Sequence, residues 1–211
     1  EFIRPQDVVI CAAGSLPGDL HKLWRTRDAR GYHLEYGYSC MGYEVAGALG
    51  AKMARPDQEV IVIVGDGSYM MMNSELATSV LLGKKLIGVI LDNRGYGCID
   101  RLQRASGTPS FNNMLDTCAF EGGSSQIDFA MHGRSMGADA VHVKDLAELK
   151  VAMVAARAAT KSQVVVIDTT HHRTTAEGGC WWEVAIPAVS ERAEVNAAFE
   201  RYTAAKTEQR I

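Results

Sequence analysis

Several common roles have no support in this sequence. No apolar run reaches the roughly 20 residues that span a bilayer, and no signal peptide opens the chain. Lysine and arginine number 22 against 25 acids, a formal charge of −3. That leaves no basic surplus for nucleic acid or for an anionic membrane surface. The five cysteines, Cys11, Cys40, Cys98, Cys118 and Cys180, are odd in number and scattered. No pair has zinc-ribbon spacing, so reduced thiols in a cytoplasmic protein are expected. Internal repeats and low-complexity segments are absent. So is a strand–G-x-G-x-x-G–helix fingerprint, which makes a nicotinamide Rossmann enzyme a poor reading. What remains is 211 residues, enough for one sizeable domain with a full core. The chain starts at Glu1 without methionine and is expected to be part of a longer polypeptide.

The informative stretch is Val60 to Gly97. Two apolar runs, Val60–Val64 and Leu86–Leu91, each end in a polar turn, Gly65-Asp66-Gly67 and Asp92-Asn93-Arg94-Gly95. Between them Leu76, Val80 and Leu81 have helical spacing, behind the cap candidates Asn73 or Ser74 and Glu75. Strand, helix, strand at this length predicts a βαβ unit. Both turns then lie at the carboxyl ends of parallel strands, where open α/β sheets bind ligands. Asp66 offers a carboxylate, Asn93 an amide oxygen and Gly95 a backbone carbonyl. Three such oxygens are half of an octahedral site, which magnesium completes with phosphate oxygens and water. Gly67 permits close backbone approach to an anion, and the N–H groups of Ser68 and Tyr69 follow. The residues therefore predict a magnesium–diphosphate site.

GDG, then Ser68 to Leu91, then DN, resembles the cofactor motif of thiamine diphosphate (ThDP) enzymes, usually GDG…NN. Asp92 stands where the usual first Asn would be; the liganding second Asn survives as Asn93. The resemblance covers about Asp7 to Thr170 and implies a doubly wound, mainly parallel α/β sheet, the diphosphate-binding half of such an enzyme. It implies Mg2+ on Asp66, Asn93 and the Gly95 carbonyl, with cofactor contacts from Gly65, Gly67, Ser68, Tyr96 and Gly97.

Further positions follow by the same resemblance. The predicted strand Asp7–Ala12 ends in a small-residue turn, Ala13 to Gly18, whose Gly14 and Ser15 match diphosphate contacts. His21 in HKLW can face the cofactor or be structural. In Tyr36 to Ala54, small residues suit a helix packed on a sheet. Met41 matches the apolar prop that bends the cofactor, and Ser39 and Met41 match backbone contacts to its aminopyrimidine edge. Ala46 departs from a usual Pro, and Glu44 from a small or apolar residue. An unpaired acid there would be costly to bury, so Glu44 is either a solvated helix residue or a substrate-specific group, with His21 the other candidate catalytic residue.

Cys98–Gln103 is expected to continue as a short helix. The long loop 104–125 is expected to be a mobile lid or a subunit contact. Helix Phe129–Met136, strand Ala140–Val143, a capped helix from Asp145 and strand Gln163–Thr169 complete the domain, residues 1–175. An extension, 176–211, carries Trp181 and Trp182, expected to pack at an interface, and a charged helix from about Ser190. His171 and His172 are adjacent and would face opposite sides of a strand, so a two-His metal site is not expected.

EYGYSCMGYE, GDGSYMMMNSEL, LDNRGYGCI and GGCWWEV together resemble the trihydroxycyclohexane-dione acylhydrolases of inositol catabolism. That implies cleavage of a ring C–C bond beside a ketone in a cyclic dione, the cofactor serving as electron sink and water releasing the acyl group. The family's activating Glu lies on a pyrimidine-binding domain, of the same or a partner subunit, for which this chain has no room. A homodimer or homotetramer is implied. Three readings stay open: the cofactor half of a ring-opening hydrolase, the small subunit of a decarboxylase or acetolactate synthase-like lyase, and a non-catalytic magnesium–diphosphate module.

Overall fold

The computed structural model describes residues 2–118, 127–170, 173, 175 and 183–209. Six strands form one sheet: β1 (Val8–Cys11), β2 (Tyr32–Leu34), β3 (Val60–Gly65), β4 (Ile87–Asp92), β5 (Asp139–Val143) and β6 (Gln163–Asp168). Their order is β2-β1-β3-β4-β6-β5, every pairing parallel. The runs VVIC, VIVIVG, IGVILD and QVVVID are apolar on both faces because helices cover both faces of a parallel sheet. The fold is thus the doubly wound α/β class expected.

Strand periodicity sorts the core into two layers. Val8, Ile10, Val60, Val62 and Val64 pack with Val45, Ala48 and Leu49 of α2 (Tyr43–Ala54), and with Leu76 and Phe129. Their alternates Val9, Ile61 and Ile87 face the opposite way, toward Leu149, Met153 and Ala156 of α7 (Leu146–Ala158). Asp145 caps α7 by accepting from the N–H groups of Ala147 and Glu148. Glu148 reaches back to the Lys144 N–H, so the predicted capping box forms one residue off the usual register.

Sheet order decides where a ligand can sit. The chain leaves β1 for β2 on one side and returns to β3 on the other. The reversal point is therefore between β1 and β3, and the crevice lies beyond their carboxyl ends.

Two expectations need correction. The small-residue turn ends at Gly14: α1 (Ser15–Leu23) already includes Ser15 to Gly18, with Pro17 in its first turn, where a missing N–H costs nothing. The GDG motif is not a plain turn either, since Asp66 begins a short helix, α3 (Asp66–Met71), ahead of the expected α4 (Glu75–Leu81). The loop after α5 (Gly97–Ala105) is pinned in its described part. Tyr96 N donates to Asn113 O at 2.7 Å, Leu115 N to Arg94 O at 2.8 Å, and Met114 is buried. Gly107 lies against the backbone of Glu194 in α8 (Ala193–Glu208), so close that a Cβ would sit 2.4 Å from its carbonyl oxygen. Helix α6 (Phe129–Ser135) follows, capped by Asp128. His171, His172, Trp181 and Trp182 lie outside the described residues.

The burial of β1 is testable through two thiols. Cys11 is wholly buried in β1, and burial first, then the Glu44 charge, pushes it up to about 12. Cys40 is exposed. Iodoacetamide at pH 8 should label Cys40 in the native protein and leave Cys11 unmodified until denaturant is added. Mass spectrometry showing native labelling of Cys11 would contradict its place in an interior strand.

Candidate functional site

Asp66 ties two strand ends together. Gly65 leaves β3 in an extended conformation, so the Asp66 side chain turns toward β4 at the start of α3. Its Oδ1 accepts the Asn93 N–H at 3.3 Å and its Oδ2 the Gly95 N–H at 2.6 Å. Asp66 is 2% exposed. Burial, and then the neighbouring Asp92 carboxylate, push it up to about 6. Asp92 is also buried and raised, while its Oδ1 accepts the Arg94 N–H at 2.8 Å. Asp92 thus keeps an acceptor oxygen where the usual motif has Asn, and adds a second charge.

The loop conformation turns oxygens inward. Arg94 has φ 65° and Gly95 φ 137°, two successive residues in the positive-φ region. One terminal atom of the Asn93 carboxamide then lies 2.8 Å from Gly95 O and 3.2 Å from Asp66 Oδ1. Amide oxygen and nitrogen are assigned from their surroundings. With nitrogen inward these contacts are two hydrogen bonds. With oxygen inward three oxygens converge, an arrangement that a cation stabilises. Adjacent oxygens around magnesium, with bonds of roughly 2.0–2.1 Å, stand about 2.9 Å apart. The donor set Asp66, Asn93 and Gly95 therefore fits a magnesium ion.

The space above the adjoining strand ends is clear. A Cβ built on Gly14 or Gly65 meets no atom within 4 Å. Gly67 is different: a Cβ there would meet the Tyr96 ring at 2.7 Å. Its small size is thus required by the aromatic ring laid on it, a reason beyond close approach of an anion. Gly97 is buried at the start of α5. From that helix Arg101 sends Nη2 to Ser15 Oγ at 2.6 Å, bringing a guanidinium to the N-terminus of α1. Arg101 was not among the predicted residues; nothing in its local pattern marks it, and its partner lies 86 residues away.

The second wall comes from the turn before α2. Ser39 is exposed with φ 55°, Met41 is half-buried, and Gly42 has φ 92° beneath Met72. Glu44 is not the solvated residue offered as one alternative, for it is 1% exposed. Ser68 Oγ donates to its carboxylate at 2.8 Å, and Gly42 N lies 3.1 Å from its Oε2. Burial raises its carboxyl above the ordinary range, opposed by these contacts and by the N–H groups of Glu44 itself and Ala13. His21 is exposed near the end of α1, its ring 5.3 Å from that of Tyr36, so the structure does not gather it with the Asp66 cluster. Among the described residues no group of three or more His, Cys, Asp or Glu side chains forms another metal site.

The oxygen cluster thus lies beside the switch point of a doubly wound sheet, where such sheets bind ligands, and residues 12–169 match the family model "Thiamine pyrophosphate enzyme, C-terminal TPP binding domain". The chain belongs to that family. Within it, the chain is homologous to the 3D-(3,5/4)-trihydroxycyclohexane-1,2-dione hydrolases. It is 43% identical to that of Bacillus cereus (strain AH820) over 198 residues, 92% of this chain and 31% of the relative. With that of Geobacillus thermodenitrificans (strain NG80-2) it is 40% identical over 204 residues, 94% of this chain and 32% of the relative. The chain thus spans about a third of the length of these relatives. A thiamine diphosphate-dependent 4-hydroxybenzoylformate decarboxylase from Rhodococcus jostii RHA1 shares the fold, with TM-score 0.64 and 21% identity over 78% of this chain and 30% of that one.

The Asp92–Gly95 loop has little room for change. A Cβ on Gly95 would stand 2.4 Å from Asn113 O, at a φ that side chains rarely adopt. Gly95→Ala should lower stability by about 1–3 kcal/mol, read from chemical denaturation. Stability equal to wild type would show that the loop is not held as described.

Proposed function

We propose that this chain is the diphosphate- and magnesium-holding half of a ThDP-dependent hydrolase that opens the ring of trihydroxycyclohexane-1,2-dione. The observation that carries it is the convergence of Asp66 Oδ1, the Asn93 carboxamide and Gly95 O at 2.8 and 3.2 Å, beside open strand ends. Its occurrence in a chain 43% identical to named dione hydrolases points to the substrate class.

In this reading Asp66, Asn93 and the Gly95 carbonyl hold Mg2+. The N–H groups at the start of α3 and the Gly14-Ser15 turn, with Arg101 behind it, receive the diphosphate. Met41 supports the cofactor rings, and Ser39 and Met41 offer backbone groups to the aminopyrimidine. Bound ThDP supplies an electron sink for C–C cleavage. The activating carboxylate comes from a pyrimidine-binding domain, in the same polypeptide or a partner subunit of a homodimer or homotetramer. Glu44 does not serve, because its oxygens are taken up by Gly42 and Ser68. Cytoplasmic location accords with the unpaired thiols of the described Cys11, Cys40, Cys98 and Cys118. Among the described residues no helix is long and apolar enough to cross a membrane.

Asp66→Ala in the intact enzyme should weaken magnesium-dependent ThDP binding by at least ~100-fold in calorimetry, more than loss of an outer-shell partner. Its circular dichroism should stay native. Unchanged affinity would remove the site assignment. Residues 1–211 alone, with saturating magnesium and ThDP, should turn over no cyclic dione, while the intact enzyme should. Robust turnover by the isolated chain would place the activating acid within it.

A further inference from the structure

Glu44 is a buried carboxylate that the cofactor contacts proposed above do not use. Among the described residues no Lys, Arg or His side chain pairs with it. Its stabilisation comes from polar hydrogens on three separate elements. One is the Ala13 N–H, just past β1. The Gly42 and Glu44 N–H groups belong to the start of α2. The Ser68 hydroxyl, in α3, lies 2.8 Å from both carboxylate oxygens. Gly42 N also lies 2.8 Å from Ser68 Oγ, so turn, hydroxyl and carboxylate close a small ring of contacts.

Each of those groups adjoins a residue given a cofactor contact in the resemblance above: Ala13 precedes Gly14, Gly42 follows Met41, and Ser68 follows Gly67. We propose that Glu44 is a positioning residue for the cofactor site, its carboxylate locking the end of β1, the Met41-Gly42 turn and the first turn of α3 into one rigid rim. The inference rests on the functional reading above. An ionisable group buried without a cation is costly unless its hydrogen bonds are complete. Here the completing donors come from three separate segments. Gly42 holds a left-handed conformation with Met72 against it, so the turn has little freedom to recover its geometry once the carboxylate is gone. Removing the carboxylate leaves the Ala13 N–H short of an acceptor, leaves the Gly42 N–H with the Ser68 hydroxyl alone, and frees that hydroxyl to rotate. The three segments then move independently, and a ligand that touches all of them must reorder them on binding.

The test uses the intact enzyme with ThDP at saturating magnesium, measured by calorimetry together with the melting temperature of the cofactor-free protein. Glu44→Ala should weaken ThDP binding by about 10-fold or more, the scale of one charge-assisted hydrogen bond. Glu44→Gln, which keeps an oxygen for Gly42 and a polar atom for Ser68, should bind more tightly than Glu44→Ala. Leu49→Ala, a core change on the same helix, should lower the melting temperature and leave affinity within about twofold of wild type. Adding Ser68→Ala to Glu44→Ala should cost less than Ser68→Ala costs alone, because both act through one network. Affinity of Glu44→Ala within about twofold of wild type, or reduced no more than in Leu49→Ala, overturns the inference. If Glu44→Ala does not fold, Ser68→Ala carries the test, and unchanged affinity overturns it. Wild-type enzyme that fails to bind ThDP overturns the functional reading, and this inference falls with it.

Discussion

The carboxyl edge of this sheet depends on Asp66 accepting the N–H groups of Asn93 and Gly95. Parallel pairing brings β3 and β4 into register as far as Gly65 and Leu91 and stops there. Beyond that point the strands have no ladder to hold their ends together, and Asp66 takes over. Its two oxygens receive the two N–H groups that would otherwise have no partner, and they do so only if the loop turns through positive φ at Arg94 and Gly95. The same turn points the Gly95 carbonyl and the Asn93 amide inward. One carboxylate therefore builds the site of which it is itself a member.

The loop is also backed from outside. Met114 bridges to Gly95, Asp116 pairs with the Arg94 guanidinium at 2.9 Å, and Gln103 accepts from the Phe111 N–H. The exposed Arg94–Asp116 pair adds little by itself. The main-chain bonds at Arg94 and Tyr96 are what fix the loop in two directions. Helix α8 supports this arrangement in turn, through its contact with Gly107. Segments distant in sequence thus brace four residues at the end of β4. Sheet order explains why the bracing belongs here, since the reversal between β1 and β3 opens the crevice beside it.

What could be read from the sequence follows the range of the forces involved. Strands announce themselves through local apolar runs, so β1, β3, β4 and β6 were legible within a residue or two. That Asp66, Asn93 and Gly95 come together was legible, because strand ends in a parallel sheet have a known address. Helix α3 was not, since six residues beginning Asp-Gly-Ser carry no amphipathic period. The packed loop 106–118 was not, because its polar composition is that of any loop and its anchors are main-chain groups around Arg94. Glu44 was the hardest. A lone acid in a helix of small residues reads the same whether water or protein surrounds it, and its partner Ser68 is 24 residues away. The same holds for Arg101 and Ser15, joined across 86 residues.

Three buried acids, Glu44, Asp66 and Asp92, stand around a crevice proposed to receive a diphosphate. Taken alone that is the wrong sign for an anion. The three are answered differently. Glu44 is enclosed by N–H and hydroxyl donors, so its charge is spent within the rim. Burial raises both Asp66 and Asp92, and the Asp92 charge raises Asp66 further, so this end of the crevice opposes any further negative group. A divalent cation on Asp66, Asn93 and Gly95 reverses that sign locally, turning the least hospitable part of the crevice into the most favourable for phosphate oxygens. In the proposed enzyme this couples the two ligands: the acids that repel a free diphosphate are the reason a metal-bound one is held, and the protein needs no large cluster of lysines to hold it.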